Sequence, residues 1–223
     1  MAKAKDTTNM EIKISAPNIR EAKFIIRGTA PLVVHKFSAK AKAMIRQKQE
    51  AGSLANKGKS KSAKDFEEVF QGARHISTEG WDGIPAAAFR AGIISACRLV
   101  GFKMTLAKLS IFVAADGFDK TEGTPLVRIL SPVEPERNES MVRLATGVCD
   151  ISVRPMWRYW GAELRIQYDA DQFTADDVRN LLARVGAQVG VCEGRPDSKS
   201  SAGCGWGTFE LVTELGEEFA VKS

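Results

Sequence analysis

Residues 160–185 read WGAELRIQYDADQFTADDVRNLLARV, and this stretch predicts a strand followed by a helix. Apolar and polar side chains alternate in its first half, which is the period of a strand with one buried face. The residues of that face are Ala162, Leu164, Ile166 and Tyr168. Thr174, with Asp177 three residues later, resembles a capping box at a helix N-terminus. The apolar positions that follow recur at helical spacing: Val178, Leu181, Leu182, Val185 and Val189.

A second strand and helix are predicted nearer the N-terminus. Lys23–Val34 reads as a strand that is interrupted at Gly28–Pro31, because proline cannot donate to a strand ladder. Ile84-Pro85 opens the clearest helix of the chain, since proline is tolerated in a first helical turn. We expect this helix to stop at Gly101. Its apolar stripe consists of Phe89, Ile93, Cys97 and Val100.

Shorter apolar runs predict the other strands: Leu109–Ala114, Leu126–Leu130, Val142–Leu144, Val148–Trp157 and Trp206–Thr213. The order of elements predicts an α+β protein with a β-α-β-β-α-β core, the ferredoxin-like, RRM-type arrangement. A lysine-rich insertion follows the first strand, and extra strands in residues 104–160 elaborate the middle. We expect a flexible arm over residues 1–20, a single domain over 21–213 with the insertion at 36–82, and an acidic tail over 214–223.

Positive charge is concentrated in one segment of the chain. The 223 residues carry a formal net charge of +5, and residues 36–64 hold nine basic side chains against Glu50 alone. That segment is therefore +8 and the rest of the chain is −3. Its basic residues are Lys36, Lys40, Lys42, Arg46, Lys48, Lys57, Lys59, Lys61 and Lys64. Helix formers fill 39–51 and loop residues fill 52–60, which favours a mobile, protruding insertion.

Two motifs resemble those of a known family. Gly83–Gly92 reads GIPAAAFRAG, and Gly190–Pro196 reads GVCEGRP before GCGWGTFE at Gly203–Glu210. Together they are similar to the RAMP superfamily, the RNA-binding proteins of CRISPR effector complexes, and above all to the backbone subunits that polymerise along a guide RNA. The ending also resembles that of uncharacterised phage-encoded proteins. The resemblance implies either guide RNA or phage single-stranded DNA as the ligand, in the cytoplasm of a bacterium or phage-infected cell.

Three regions are candidate contacts for a nucleic-acid strand. A mobile cationic insertion gains affinity for phosphates by releasing counterions, and in RAMP-type subunits such an insertion resembles a thumb that folds over the strand. The loop Gly190–Gly207 exposes backbone that can approach phosphate closely. Interleaved cations and rings at residues 154–160 suit stacking on bases. The residues concerned outside the insertion are Arg154, Trp157, Arg158, Arg195, Lys199, Gly203 and Gly205, with Arg90 on the first helix. Each region also has a structural alternative. The insertion can be read as a solvated loop, and the glycine-rich loop as a hairpin connection. Residues 154–160 can be read as core packing or an oligomer interface.

Catalysis is a secondary hypothesis. His35 follows the first strand, and some RAMP relatives cleave RNA with a histidine and no metal, so His35 is a candidate general acid or base. Asp65 is a second candidate, since some backbone subunits cut RNA with a loop aspartate. The four cysteines are scattered, so no metal site is expected, and no cofactor motif is present.

We therefore predict a non-catalytic protein that binds single-stranded RNA or DNA and forms homo-oligomers along the strand. We expect no association with a membrane. The alternatives are a metal-independent endoribonuclease using His35, and a structural assembly protein that contacts an acidic protein partner.

Overall fold

The structure is a computed structural model that describes residues 15–37, 39–50, 65–143, 149–198 and 204–219. Its strands are β1 (Ile19–Gly28), β2 (Leu32–Val33), β3 (Gly83–Pro85), β4 (Ile111–Val113), β5 (Gly117–Phe118), β6 (Pro125–Arg128), β7 (Glu136–Arg143), β8 (Cys149–Trp157), β9 (Gly161–Asp169) and β10 (Phe209–Val212). Its helices are α1 (Ala39–Glu50), α2 (Phe66–Gly72), α3 (Ala86–Ala96), α4 (Met104–Ser110) and α5 (Ala175–Arg184). The protein is mixed α+β with antiparallel sheets, so the predicted class is confirmed.

The main sheet has four antiparallel strands in the order β10-β1-β9-β4. Helices α3 and α5 pack against each other and cover one face of it. The alternation in β9 is confirmed, because all four apolar residues of its predicted face are at most 5% exposed. The helix predicted after it is also confirmed as α5, and the Thr174 and Asp177 side chains form the capping box.

The break at Gly28–Pro31 moves the chain from the main sheet to a second one. Strand β2 pairs with β8, which pairs with β7. Trp160 holds the crossing point: Gly28 donates to its carbonyl at 2.8 Å, and its indole Nε1 donates to the Ala30 carbonyl at 2.8 Å. A Cβ on Gly28 would lie 2.1 Å from the Trp160 Nε1 atom, so the chain can cross here only because this residue is glycine. A third sheet joins β5, β6 and β3.

Several details of the sequence prediction are wrong. Ile19 and Arg20, which were placed in the flexible arm, begin β1, and Ile84-Pro85 belongs to β3 and precedes the helix. The strand expected from Leu109 begins at Ile111, because residues 104–110 form helix α4 and Leu109 is 76% exposed on it. A short apolar run has no period that separates a strand from a helix. Val100 was assigned to the buried stripe but is 49% exposed, because α3 gives way to a 3-10 turn over Cys97–Val100 with a different rotation per residue. The predicted stop at Gly101 is confirmed by its left-handed conformation.

No helix in the described part of the chain is both long and apolar enough to cross a membrane. Within the acidic tail, the described residues 214–219 end in a 3-10 turn over Glu217–Phe219, and the Phe219 ring is 7% exposed.

Candidate nucleic-acid interface

The face of the main sheet opposite the helices carries ion pairs. Lys23 lies 3.3 Å from Glu163, and Arg27 lies 2.8 Å from Glu210. Arg165, on the same face, lies 3.3 Å from Asp116. RNA-binding sheets that read bases by stacking display aromatic rings on such a face. Because the cations here are neutralised by neighbouring carboxylates, this face offers little to a polyanion.

The three regions that the sequence predicted as nucleic-acid contacts lie close together at the edge of β2 instead. The register of β2 on β8 sets Val33 opposite Met156, which brings His35 opposite Arg154 two residues further on. The glycine-rich loop joins them through Glu193, whose backbone N–H donates to the Val33 carbonyl at 3.0 Å. The Glu193 carboxylate lies 3.0 Å from Arg154 Nε and 3.5 Å from His35 Nδ1.

Phe37 completes this arrangement, which we call the His35 cluster: His35, Phe37, Arg154 and Glu193. The Phe37 ring lies 5.2 Å from the His35 ring, tilted by 32°, and is 58% exposed. Neither Phe37 nor Glu193 was singled out from the sequence. An aromatic two residues from a histidine at the end of a strand was the available signal for Phe37, and nothing local pointed to Glu193.

The His35 cluster has no net charge at neutral pH. Burial and the neighbouring Arg154 guanidinium lower the pKa of His35, and Glu193 only partly opposes them. The imidazole is therefore neutral, and the charge of Arg154 is balanced by that of Glu193. A neutral imidazole can accept a proton or a hydrogen bond, and the exposed Phe37 ring can stack on a base.

Backbone hydrogen bonds join the two ends of the glycine-rich loop to each other and to the segment between β1 and β2. Val191 donates to Gly207 at 3.0 Å, and Gly207 donates to Pro31 at 2.8 Å. Gly207 has a φ of +68°, and a Cβ there would lie 1.9 Å from the Val191 carbonyl oxygen, so the close approach requires glycine. The Arg195 side chain donates to the Cys192 carbonyl at 2.9 Å. The backbone that was expected to cradle phosphate is thus used largely to close the loop. Gly205 is described and has a φ of +71°, whereas Lys199 and Gly203 lie outside the described residues.

The first lysine of the basic segment is not free to bind phosphate. Lys36 Nζ lies 2.7 Å from both carboxylate oxygens of Asp119 and also donates to the Thr121 hydroxyl. The side chains of Lys36 and Asp119 are 9% and 0% exposed. Lys42, on α1, pairs with Glu122 of the same turn. The prediction of Lys36 as a phosphate contact is therefore corrected: it attaches the insertion to the turn that joins β5 and β6.

The rest of the basic segment is described only in part. Arg46 is exposed on α1. Lys40 and Lys48 belong to α1, but their side chains lie outside what is described. Lys57, Lys59, Lys61 and Lys64 lie outside the described residues, and their assigned contacts stay predictions.

His75 lies on the other side of the Asp119 carboxylate. Its Nδ1 is 3.3 Å from Asp119 Oδ2, and the residue is 7% exposed. Burial lowers the pKa of His75 although the Asp119 carboxylate opposes the effect. Burial alone would raise the pKa of Asp119, but hydrogen bonds from Lys36, Thr121 and the backbone of Glu122 hold it well below its usual range. Lys36, His75 and Asp119 therefore form a structural network in which each charged or polar side chain has a partner.

Three predicted contacts and one catalytic candidate are corrected, because their side chains are buried or already have partners. Arg90 donates to the carbonyls of Ile111, at 2.9 Å, and Lys108, where it caps the end of α4. Trp157 is 2% exposed in the core, so its ring cannot stack on a base in this conformation. Arg158 Nε donates to both carboxylate oxygens of Glu136, at 2.9 and 2.8 Å. Asp65 caps α2 by accepting from the N–H groups of Glu67 and Glu68 at 2.9 and 3.1 Å. The ring left exposed in the basic-aromatic segment is Tyr159, at 64%.

Two buried polar groups on the same face of the second sheet as Arg154 have no hydrogen-bond partner in the structure: Asn138 Nδ2 and Ser152 Oγ. Asn138 lies opposite Arg154 in the β7–β8 register, and Ser152 lies two residues before it. Buried polar groups are nearly always paired in proteins.

Over the ranges that the structure describes, no three histidine, cysteine, aspartate or glutamate side chains are grouped so that they could hold a metal ion. The four cysteines are free thiols. The chain matches no protein-family model and has no significant match among curated proteins.

Proposed function

We propose that this protein binds single-stranded nucleic acid at the His35 cluster, with the lysine-rich insertion as a clamp over the strand. The observation that carries the proposal is convergence. The residue that precedes the insertion, the glycine-rich loop and the basic-aromatic strand are far apart in the sequence, and they meet at His35, Glu193 and Arg154.

The connections of the main sheet support a ferredoxin-like core of the RAMP type. Strands β1 and β4 are joined through α3, strands β9 and β10 are joined through α5, and the spatial order is β10-β1-β9-β4. If these four strands are numbered 1 to 4 along the chain, their order across the sheet is 4-1-3-2. This is the order expected of a β-α-β-β-α-β unit. The remaining strands form the two smaller sheets and extend this core.

The chemistry of the site favours a single strand over a duplex. The exposed rings of Phe37 and Tyr159 can stack only on unpaired bases. The insertion would supply the phosphate contacts, because its charge is positive over a long segment. Stacking and backbone contacts tolerate any sequence, so we expect sequence-independent binding.

A charge-neutralised insertion tests the proposal. The four lysines Lys57, Lys59, Lys61 and Lys64 are changed together to alanine, and the control changes four exposed cations elsewhere: Lys103, Lys108, Lys120 and Arg179. Fluorescence anisotropy measures binding of a labelled oligonucleotide of about 20 nucleotides, as RNA and as DNA, over a range of salt. If all four lysines contact phosphate, the slope of log K against log salt falls by roughly 3 in the insertion variant alone. Unchanged binding by that variant, or an equal loss in the control, contradicts the proposal.

One observation favours endoribonuclease activity as a second candidate function. The lowered pKa of His35 leaves a neutral imidazole that can act as a general base beside the Arg154 cation. Incubation of the protein with labelled hairpin RNA in a chelator checks this. Cleavage that is lost in His35→Ala supports it, and an absence of product, or equal cleavage by the variant, rejects it.

A further inference from the structure

A polar cavity of about 320 Å³ lies away from the His35 cluster, between strand β6 and the loop at residues 131–135. Its walls include two arginines and two tryptophans: Arg74, Arg128, Trp81 and Trp157. One of the arginines is neutralised inside the protein. Arg74 Nε lies 2.9 Å from Asp82, a second bond joins the same two side chains, and Glu134 lies 3.4 Å away.

Arg128 differs from Arg74, because its guanidinium has no ion pair or side-chain hydrogen bond to any described residue. Its backbone is fixed opposite Gly83 in the β3–β6 register, and its N–H donates to Asp116 at 2.9 Å. The Asp116 side chain is occupied by this bond and by Arg165. A half-buried guanidinium with no ion-pair partner among the described residues is a group that an anion would stabilise.

Trp81 orients this guanidinium. The Arg128 guanidinium lies over the Trp81 ring, 6.0 Å from its centroid. The ring itself is held by the tight approach of Gly83 and Gly117, where an added Cβ would lie 3.1 and 2.7 Å from indole carbons. The Trp81 Nε1 atom donates to Glu79 at 3.0 Å. The planar cation is therefore held on a fixed platform in the wall of the cavity.

We propose that Arg128 and this cavity form a phosphate-binding site that takes a backbone phosphate of the bound strand. This inference rests on the proposed function. The planar, always-charged guanidinium matches the geometry of a phosphate. Of the other charged side chains in the lining, Arg74 and Asp82 pair with each other, and Glu134, which is 87% exposed, leaves one negative charge in excess. Strand β8 runs past both sites: Trp157 lines the cavity, and Arg154 lies three residues earlier, about 10 Å along the strand and on its opposite face.

The test uses the full chain and the substitution Arg128→Gln, with Arg179→Gln on α5 as the matched control. We expect Arg128→Gln to weaken binding of a labelled single-stranded oligonucleotide about tenfold, as loss of one charge-assisted contact would. The slope of log K against log salt should fall by about 0.7, the value for one phosphate contact on a single strand. Arg128→Lys should restore the slope, since the charge returns. Thermal melting checks that each variant is folded. Wild-type affinity and slope in folded Arg128→Gln overturn the inference.

A second experiment tests whether the site binds a phosphate of a nucleic-acid strand or a free phosphate anion. Inorganic phosphate and a nucleoside monophosphate are titrated while the indole N–H shift of Trp81 is followed by NMR. If oligonucleotides bind and their binding depends on Arg128, the phosphate that occupies the cavity belongs to the strand. If the wild-type protein binds no oligonucleotide, the proposed function fails. In that case a Trp81 shift with phosphate that is lost in Arg128→Gln supports the site as one for free phosphate, and no shift overturns the site as well.

Discussion

Lys36 shows how one residue changes its role between sequence and structure. In the sequence it is the first of nine cations in the basic segment. In the structure it is buried against Asp119, whose carboxylate also accepts from Thr121 and the backbone of Glu122. A buried ion pair is costly to break from one side, because the remaining charge is left without a partner.

We expect Lys36→Met to lower the free energy of unfolding by about 3 to 5 kcal/mol, the range for breaking a buried pair. The matched control is Lys42→Met, which removes the half-exposed partner of Glu122 and should cost less than about 1 kcal/mol. Urea denaturation of both variants measures the difference. Equal losses would show that Lys36 is not the buried anchor described above.

The pKa shifts of Asp119, His35 and His75 predict that acid destabilises the protein. The two histidines have lowered pKa values, so the unfolded chain takes up protons first as pH falls below about 6.5 and stability declines. The pKa of Asp119 is also lowered, so its contribution is present above its ordinary value of 3.8 and is lost as pH falls through the folded value. Thermal melts from pH 8 to pH 2 check this. Asp119→Asn should be less stable at pH 7 and should show a smaller loss below pH 4.

At the scale of the element, helix α5 depends on its first turn. The Thr174 hydroxyl accepts from the Asp177 N–H at 3.1 Å, and the Asp177 carboxylate accepts from the Thr174 N–H at 2.9 Å. Thr174→Ala should lower the free energy of unfolding by about 1 kcal/mol, the usual effect of losing such a cap. Thr105→Ala, at an exposed position on α4, should cost nothing measurable. Chemical denaturation compares them, and a neutral Thr174→Ala would mean that the cap adds no stability.

At the scale of the whole molecule, the proposed self-association along a strand predicts complexes that grow with strand length. We expect oligonucleotides of about 15, 30 and 60 nucleotides to carry a rising number of protein copies, given the site sizes usual for single-strand binders. Light scattering after size-exclusion chromatography measures the mass of each complex. One copy on every length, at saturating protein, would contradict assembly along the strand.

The success of the sequence predictions follows the range of the interactions involved. The faces of β9 and α5, the capping box and the stop at Gly101 depend on neighbours a few residues apart, and they are confirmed. The site depended on distant partners. Trp157 was expected to stack on bases, yet its burial is set by the β2–β8 pairing and by the core around it. Glu193 gains its role only because the glycine-rich loop closes onto β2.

By itself, the sequence determined the α+β class, most of the strands and helices, and the concentration of positive charge in one segment. Periodicity, capping and composition are local properties, so they can be read from the sequence without knowledge of distant contacts. Only the tertiary structure decided which cations are available. Lys36, Arg90 and Arg158 are engaged by acceptors elsewhere in the chain, whereas the Arg128 guanidinium has no acceptor among the residues that the structure describes. The reason is that a side chain's partner is set by which strands pair and which loops close on them. The acceptors of Lys36, Arg90 and Arg158 lie 83, 21 and 22 positions away in the sequence.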